Sequence, residues 1–186
     1  MPNNFVGAPG CQAWWNFEPG NLLVDGLGLN DLTVGGGDPA SDAADYKEGS
    51  GSVVFNGSTD LLTIPDANLN ANFPLRSSDT AKLATFAFWF RLDGATRTEF
   101  FGKDGTIVIG NYFGSYPRVT WYNNSGGTTT FNLGTGNFSI NVWYHVVIKI
   151  DGKTGLFLFT YYNSSTDTYG YYLKTDFPEI AVGAGR

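Results

Sequence analysis

At 186 residues, with 42% hydrophobic and only 15% charged residues, the chain suits a single domain that buries roughly 70% of its unfolded surface. Its 11 basic and 17 acidic residues leave a formal charge of -6, which excludes a basic groove that tracks phosphates and so a nucleic-acid partner. One cysteine excludes an intrachain disulfide framework, no apolar run approaches the roughly 18 residues of a membrane span, and residues 1–10 carry neither the basic nor the apolar segment of a secretory signal.

Twenty-five glycines, 16% aromatics and no sustained helical periodicity predict an all-β chain of short strands and turns. Cys11, Ala13, Trp15 and Phe17 alternate with Gln12, Trp14 and Asn16, which predicts a first strand with an aromatic inner face and makes Cys11 a buried small hydrophobe rather than a nucleophile. Glu18-Pro19-Gly20 ends that strand. Residues 21–34 (NLLVDGLGLNDLTV) follow. Residues 35–52 read as a solvated loop in preference to a metal site, although Asp38, Asp42, Asp45 and Glu48 are spread through it. Residues 51–66 predict a strand, an Asn56-Gly57 turn and a second strand. Residues 69–82, with Pro74, are expected to be irregular.

In residues 84–94, Phe86, Phe88 and Phe90 alternate with Thr85, Ala87, Trp89 and Arg91. That pattern predicts a central strand whose phenylalanines face the core, each ring contributing roughly 1.5–3 kcal/mol on burial. Three more strands are expected between 106 and 138, with turns at Gly110-Asn111, at 114–117 and at 123–127; the middle strand, 118–122, holds Trp121.

The clearest element is the hairpin over residues 141–163. Val146, Ile148 and Ile150 alternate with His145, Val147 and Lys149, and Asp151 to Gly155 supply a polar loop with glycines where positive φ is needed. The returning strand is apolar on both faces, with Leu156 and Leu158 on one side and Phe157, Phe159 and Tyr161 on the other. The hairpin is therefore either covered on both sides or presents aromatics to a partner. A further strand is expected over 168–173.

The wording W-Y-H-V-V-I-K-I-D-G-K-T-G-L-F-L-F resembles the central hairpin of laminin-G-like, concanavalin A-like jelly-roll domains, W-H-H-V-A-V-x-Y-D-G-x-x-G-x-L-x-L-Y. Further stretches fit in the family's order. Asp25, Asn30, Asp31, Leu32 and Thr33 match a V-x-D-x-S-G-N-x-N-D-L-T loop; residues 51–66 match G-x-x-x-F-D-G-x-x-D-Y-V-x-V-P-D; residues 84–94 match F-T-x-S-A-W-V-K-x-D-G; 99–105 and 179–183 match two short strands. The resemblance implies one laminin-G-like domain over residues 1–186, a two-sheet antiparallel jelly-roll sandwich. The family's final strand, G-x-I-D-E-V-R-I, has no counterpart before Arg186. Three expectations stand for it: the sequence belongs to a longer polypeptide, a neighbouring subunit donates the strand, or residues 1–10 cover the edge.

Glucanases of the superfamily carry E-x-D-x-x-E on an active strand, two carboxylates that flank a glycosidic bond. Here Glu18, Glu48, Glu99 and Glu179 are the only glutamates and none pairs with an acid at i+2 or i+4 on a strand; the lone His145 sits among apolar neighbours and reads as structural. A non-catalytic module is therefore expected. The first reading is a structural or adhesion subunit of a virion, tail or extracellular appendage that contacts other protein subunits. The alternative is a lectin-like module binding glycans through Tyr112, Tyr116, Trp121, Tyr122, Tyr169, Tyr171 and Tyr172, flat faces with polar rims. The resemblance also implies a structural Ca²⁺ at a loop rim, with Asp25, Asn30 and Asp31 at the matching positions and Asp60 beside them; capping of local turns is the other reading of these side chains.

Overall fold

A computed structural model describes residues 8–94, 98–112, 116–133 and 138–182. The regular structure of the described residues is almost all strand: β1 (Thr33–Gly36), β2 (Ala40–Asp42), β3 (Ser52–Val54), β4 (Leu61–Thr63), β5 (Leu83–Arg91), β6 (Thr98–Lys103), β7 (Ile107–Tyr112), β8 (Tyr116–Tyr122), β9 (Thr128–Asn132), β10 (Trp143–Asp151), β11 (Leu156–Asn163) and β12 (Thr168–Lys174), with one 3-10 turn at Asp66–Asn68. They form two compact units, Met1–Phe73 and Pro74–Arg186.

The second unit is an antiparallel sandwich. One sheet has the strand order β12-β11-β10-β5 and the other β6-β7-β8-β9. The chain crosses from β5 to β6, meanders through β9, and returns with β10 lying between β5 and β11. Period-2 alternation decides which side chains fill the space between the sheets. Tyr144, Val146, Ile148 and Ile150 of β10 and Phe157 and Phe159 of β11 face Ile107, Ile109, Val119 and Trp121 of the opposite sheet, all buried in one cluster. Phe86, Phe88 and Phe90 pack against the same cluster, as their alternation predicts. Ring contacts stitch the layers together: Phe86 lies 4.2 Å from Phe101, Phe90 stacks on Phe100 at 4.6 Å, and Trp121 stacks on Phe177 at 4.8 Å.

The hairpin turn between β10 and β11 is specified locally. The Asp151 carboxylate accepts N–H bonds from Lys153 and Thr154 at 3.0 and 3.1 Å, and its bond with the Thr154 side chain, foremost, together with these backbone bonds holds its pKa below the ordinary aspartate value. Gly155 closes the turn at φ +72° with its Cα against the Phe177 backbone, a place where a side chain would be both strained and obstructed.

Lys82 is buried at the end of this unit. Its ammonium donates to Glu179 Oε1 and to the Ile180 carbonyl, each at 2.8 Å, and to Asn124 Oδ1 at 3.3 Å. The bond from Lys82 pulls the Glu179 pKa below the ordinary glutamate value. A carboxylate whose folded pKa is depressed adds stability above its unfolded pKa and loses it as pH falls through the folded value. The urea midpoint is therefore expected to drop below the usual glutamate range, and Glu179→Gln should flatten that part of the profile. An unchanged profile in the variant would remove the pair from the stability of the fold.

The first unit contains two small ladders, β1 with β4 and β2 with β3. Three sequence expectations differ from it. Residues 11–17 are extended without being a strand: only Trp15 bridges Asp25, because the Trp14 N–H is taken by the Asp25 side chain and Phe17 turns to φ 55°. Cys11 there is half-buried, its Sγ directed at the Ala13 carbonyl. The strands on either side of Asn56-Gly57 do not pair with each other, since Asn56 Oδ1 gathers the N–H groups of Ser58, Thr59 and Asp60 into a wider loop and sends β4 to β1. Residues 35–52, expected as loop, carry β2 and the end of β1.

In the second unit, β5 is an outer strand of its sheet rather than a central one. The expected turn at Gly110-Asn111 lies inside β7, which runs on to Tyr112. The turn at 123–127 forms, with Asn123 Oδ1 accepting from Ser125 and Gly127. Beyond it, residues 179–183 contribute a single bridge, Ile180 to Asn123, with residue 183 outside the described residues. Residues 1–7 of the arm considered as an edge cover also lie outside them.

Candidate functional site

The outer face of the β12-β11-β10-β5 sheet carries the side chains that alternate with the core set. Register places them in rows that run across the strands. Tyr169 of β12 is opposite Tyr162 of β11, Tyr162 opposite His145 of β10, and His145 opposite Trp89 of β5. The rings touch along the row: Tyr169 to Tyr162 at 4.8 Å, Trp89 to His145 at 5.0 Å, and Trp89 edge-on to Tyr162 at 6.0 Å. Tyr169 is 80% exposed, so its ring faces solvent nearly whole.

The next row is lower. Tyr171, Thr160, Val147 and Ala87 lie opposite one another in turn, and beyond them come Leu173, Leu158, Lys149 and Thr85. Three smaller residues thus share this row with Tyr171, which is 69% exposed at its β12 end. On the far side of the aromatic row, Trp143 pairs with Arg91, whose guanidinium lies 5.9 Å from the Trp143 ring and is tied to Asp93 Oδ1 at 2.8 Å.

The β11–β12 turn supplies the polar rim. The Tyr162 hydroxyl is hydrogen-bonded to the Asp167 carboxylate, and this bond, with some desolvation, raises the phenol's pKa above its ordinary value. Thr166 and Thr168 pair through their hydroxyls at 2.8 Å beside it, and Asn163 Oδ1 accepts from Ser165. Aromatic faces next to fixed acceptors and hydroxyls match the two halves of a sugar ring, its C–H face and its hydroxyl edge.

Of the seven aromatics named from the sequence, this face brings together Tyr169 and Tyr171. Trp121 does not face outward: it is fully buried, and its indole N–H donates to the Pro178 carbonyl at 2.9 Å. The reason is parity, since Trp121 shares the inward phase of β8 with Val119. Tyr172 also points inward and stacks on Phe131 at 5.6 Å, whereas Tyr122 is half-buried in the outward phase of β8 on the other sheet. Tyr112 and Tyr116 belong to β7 and β8, but their side chains lie outside the described residues. Trp89, Tyr162 and the site role of His145 were missed. The alternation that assigns Phe86, Phe88 and Phe90 inward also assigns Trp89 outward, which is the signal that points to it.

The expected calcium ligands are arranged differently. Asp25, 1% exposed, accepts from Trp14 N at 2.8 Å and Leu27 N at 3.1 Å on Oδ1, and from Asn30 N at 3.0 Å, Leu29 N at 3.3 Å and Asn30 Nδ2 at 3.4 Å on Oδ2. Asp31 Oδ1 accepts from Asp25 N, and Asn30 Oδ1 from Asn70 N, each at 2.9 Å. Asp60 serves another loop, accepting from Asp38 N at 3.0 Å and Asn56 N at 2.8 Å. Calcium needs six to eight oxygens with lone pairs turned to it. Five N–H hydrogens already surround the Asp25 carboxylate, so this donor set does not fit the ion, and among the described residues no group of three or more His, Cys, Asp or Glu side chains could hold a metal.

A search of curated proteins and one of solved structures each return no match. A family description does match: the laminin G type of the concanavalin A-like lectin/glucanases superfamily, over residues 55–177, more than half of the chain. With its stacked antiparallel sheets and the D-G-K-T-G hairpin at their centre, the chain belongs to the concanavalin A-like lectin/glucanases superfamily.

Proposed function

We propose that the protein is a non-catalytic carbohydrate-binding module that holds glycans on the outer face of the β12-β11-β10-β5 sheet. The observation that carries this reading is the contiguous row Trp89, His145, Tyr162 and Tyr169, exposed at the Tyr169 end and bordered by Asp167. Placement of the glutamates supports a binding role over hydrolysis. Glu179 is committed to Lys82, Glu18 accepts from Ser50, and Glu48 and Glu99 are exposed on separate units.

A glycan array probed with the wild-type protein and with Trp89→Ala and Tyr169→Ala tests the reading. Binding by the wild type, weakened about tenfold or more by either substitution, is expected, a loss of roughly 1.4 kcal/mol. A wild type that binds no glycan, or variants that bind equally well, would contradict it.

A second reading, a subunit of a virion, tail or surface assembly, is favoured by Leu173 on β12 and Leu83 on β5. Both are exposed apolar side chains on the two outer strands of the same sheet. Light scattering separates the readings, because a sugar-blind oligomer supports the second and a glycan-binding monomer the first.

A further inference from the structure

We infer that the protein forms a two-fold homodimer in which β12 of one copy pairs antiparallel with β12 of a second, centred on Tyr171, so that two four-stranded sheets join into one. The inference goes beyond the carbohydrate-binding reading and stands without it, because it concerns the edge of the sheet rather than its face.

The backbone supplies the opportunity. Among the described residues β12 ends its sheet, and its seven residues pair with β11 from Thr168 to Lys174 without a shift in register. Its other side is therefore a straight edge of N–H and C=O groups open to a further strand. No proline or bulge interrupts it, and its one charged residue, Lys174, lies at its end and is tied to Asp176. Such devices are what ordinarily block an edge. By contrast β6, which ends the other sheet, pairs with β7 through a register shift between Glu99 and Phe101.

Side chains choose a second copy as the occupant. Tyr169, Tyr171 and Leu173 share the outward phase of β12 and are 80%, 69% and 51% exposed, an apolar row along the open edge. A two-fold axis normal to the sheet keeps that phase outward in both copies. Centred on Tyr171, the middle of the strand, it uses all seven residues: Tyr171 meets Tyr171 of the second copy, Tyr169 meets Leu173, and on the inward phase Gly170 meets Tyr172. Aromatic and apolar pairs directly opposite one another are the favourable cross-strand combinations.

Charge selects the direction. Antiparallel pairing sets Lys174 opposite Thr168 of the second copy and within one residue of its Asp167, an opposite charge. A parallel pairing in register would set Asp167 against Asp167 and Lys174 against Lys174, which is unfavourable. The antiparallel pair is isologous, so assembly through this edge closes at two copies. Its contact runs along about 24 Å of strand and covers chiefly three large side chains from each copy, at the low end of interface sizes. The dimer is accordingly expected to dissociate on dilution.

Sedimentation velocity of the full chain, from low micromolar to submillimolar concentration, tests the inference. A monomer–dimer equilibrium is expected, and Tyr171→Lys and Leu173→Lys should each weaken it about tenfold or more with the urea midpoint unchanged. Disulfide capture in a Cys11→Ser background reads the register. Tyr171→Cys is expected to cross-link two copies, because only the residue on the axis faces its own counterpart within disulfide reach, whereas Leu173→Cys should remain uncoupled. A monomer at every concentration, a dimer indifferent to both lysine variants, or cross-linking through Leu173→Cys in place of Tyr171→Cys would overturn the inference. The glycan array reports on the carbohydrate-binding reading separately, so the failure of one is not the failure of the other.

Discussion

Trp121→Ala is expected to cost the second unit about 3–5 kcal/mol, read as a fall in urea midpoint at unchanged slope, because a large fully buried ring leaves a cavity between the sheets. Phe177 stacks on this ring at 4.8 Å and Phe157 meets it edge-on at 6.5 Å, so both lose contact together. Trp121→Phe should cost less: it keeps most of the aromatic contact and loses the indole bond to the Pro178 carbonyl, worth about 1 kcal/mol. A Trp121→Ala protein as stable as the wild type would place the core elsewhere.

Asp25→Ala is the second large effect, and it acts on the first unit. Five N–H bonds end on this one carboxylate, from Trp14, Leu27, Leu29 and Asn30 backbones and the Asn30 side chain. Truncation leaves buried donors without an acceptor, at about 1–3 kcal/mol for each that water cannot reach, so a loss of about 3 kcal/mol or more is expected. Asp25→Asn should recover little of it, because the new amide turns two hydrogens toward donors. Thermal unfolding checks both variants, and a chelator or added Ca²⁺ is expected to leave the wild-type midpoint unmoved. A Ca²⁺-dependent rise in the midpoint would show that the loop opens to a cation and that the hydrogen-bonded arrangement is not its working state.

The sandwich was legible where alternation is strict. β5 and β10 each show one dominant apolar phase, and the polar D-G-K-T-G loop marks the turn by its own chemistry, so these two strands could be read residue by residue, whereas β11 is apolar in both phases. Local side-chain bonds are what periodicity does not register. Residues 11–17 alternate as a strand should, yet the Trp14 N–H goes to Asp25 rather than to a neighbouring strand. Asn56-Gly57 has the wording of a two-residue hairpin, yet Asn56 accepts three N–H bonds and opens the loop.

The site was legible only in part, for a related reason. Tyr169 and Tyr171 were named together with Tyr172, because the tyrosines of this outer strand mark it as aromatic without telling its phase; Tyr172 turns inward onto Phe131. Trp89, His145 and Tyr162 are distant in sequence and become one row only through the β5–β10 and β10–β11 registers, which no local pattern encodes. Trp121 misled because a short strand with aromatics in both phases does not say which phase faces in; that is decided by its company, Val119 beside it and Ile107 opposite.

The most direct test of glycan binding on this face is an NMR titration of the labelled protein with the tightest glycan from the array. Chemical-shift changes are expected to concentrate on the Trp89 indole, His145, Tyr162 and Tyr169, with Val147 and Thr160 between them and the buried Trp121 indole unmoved. Changes centred instead on the loop of Asp25 to Asp31, or on Tyr122 and the opposite sheet, would contradict it.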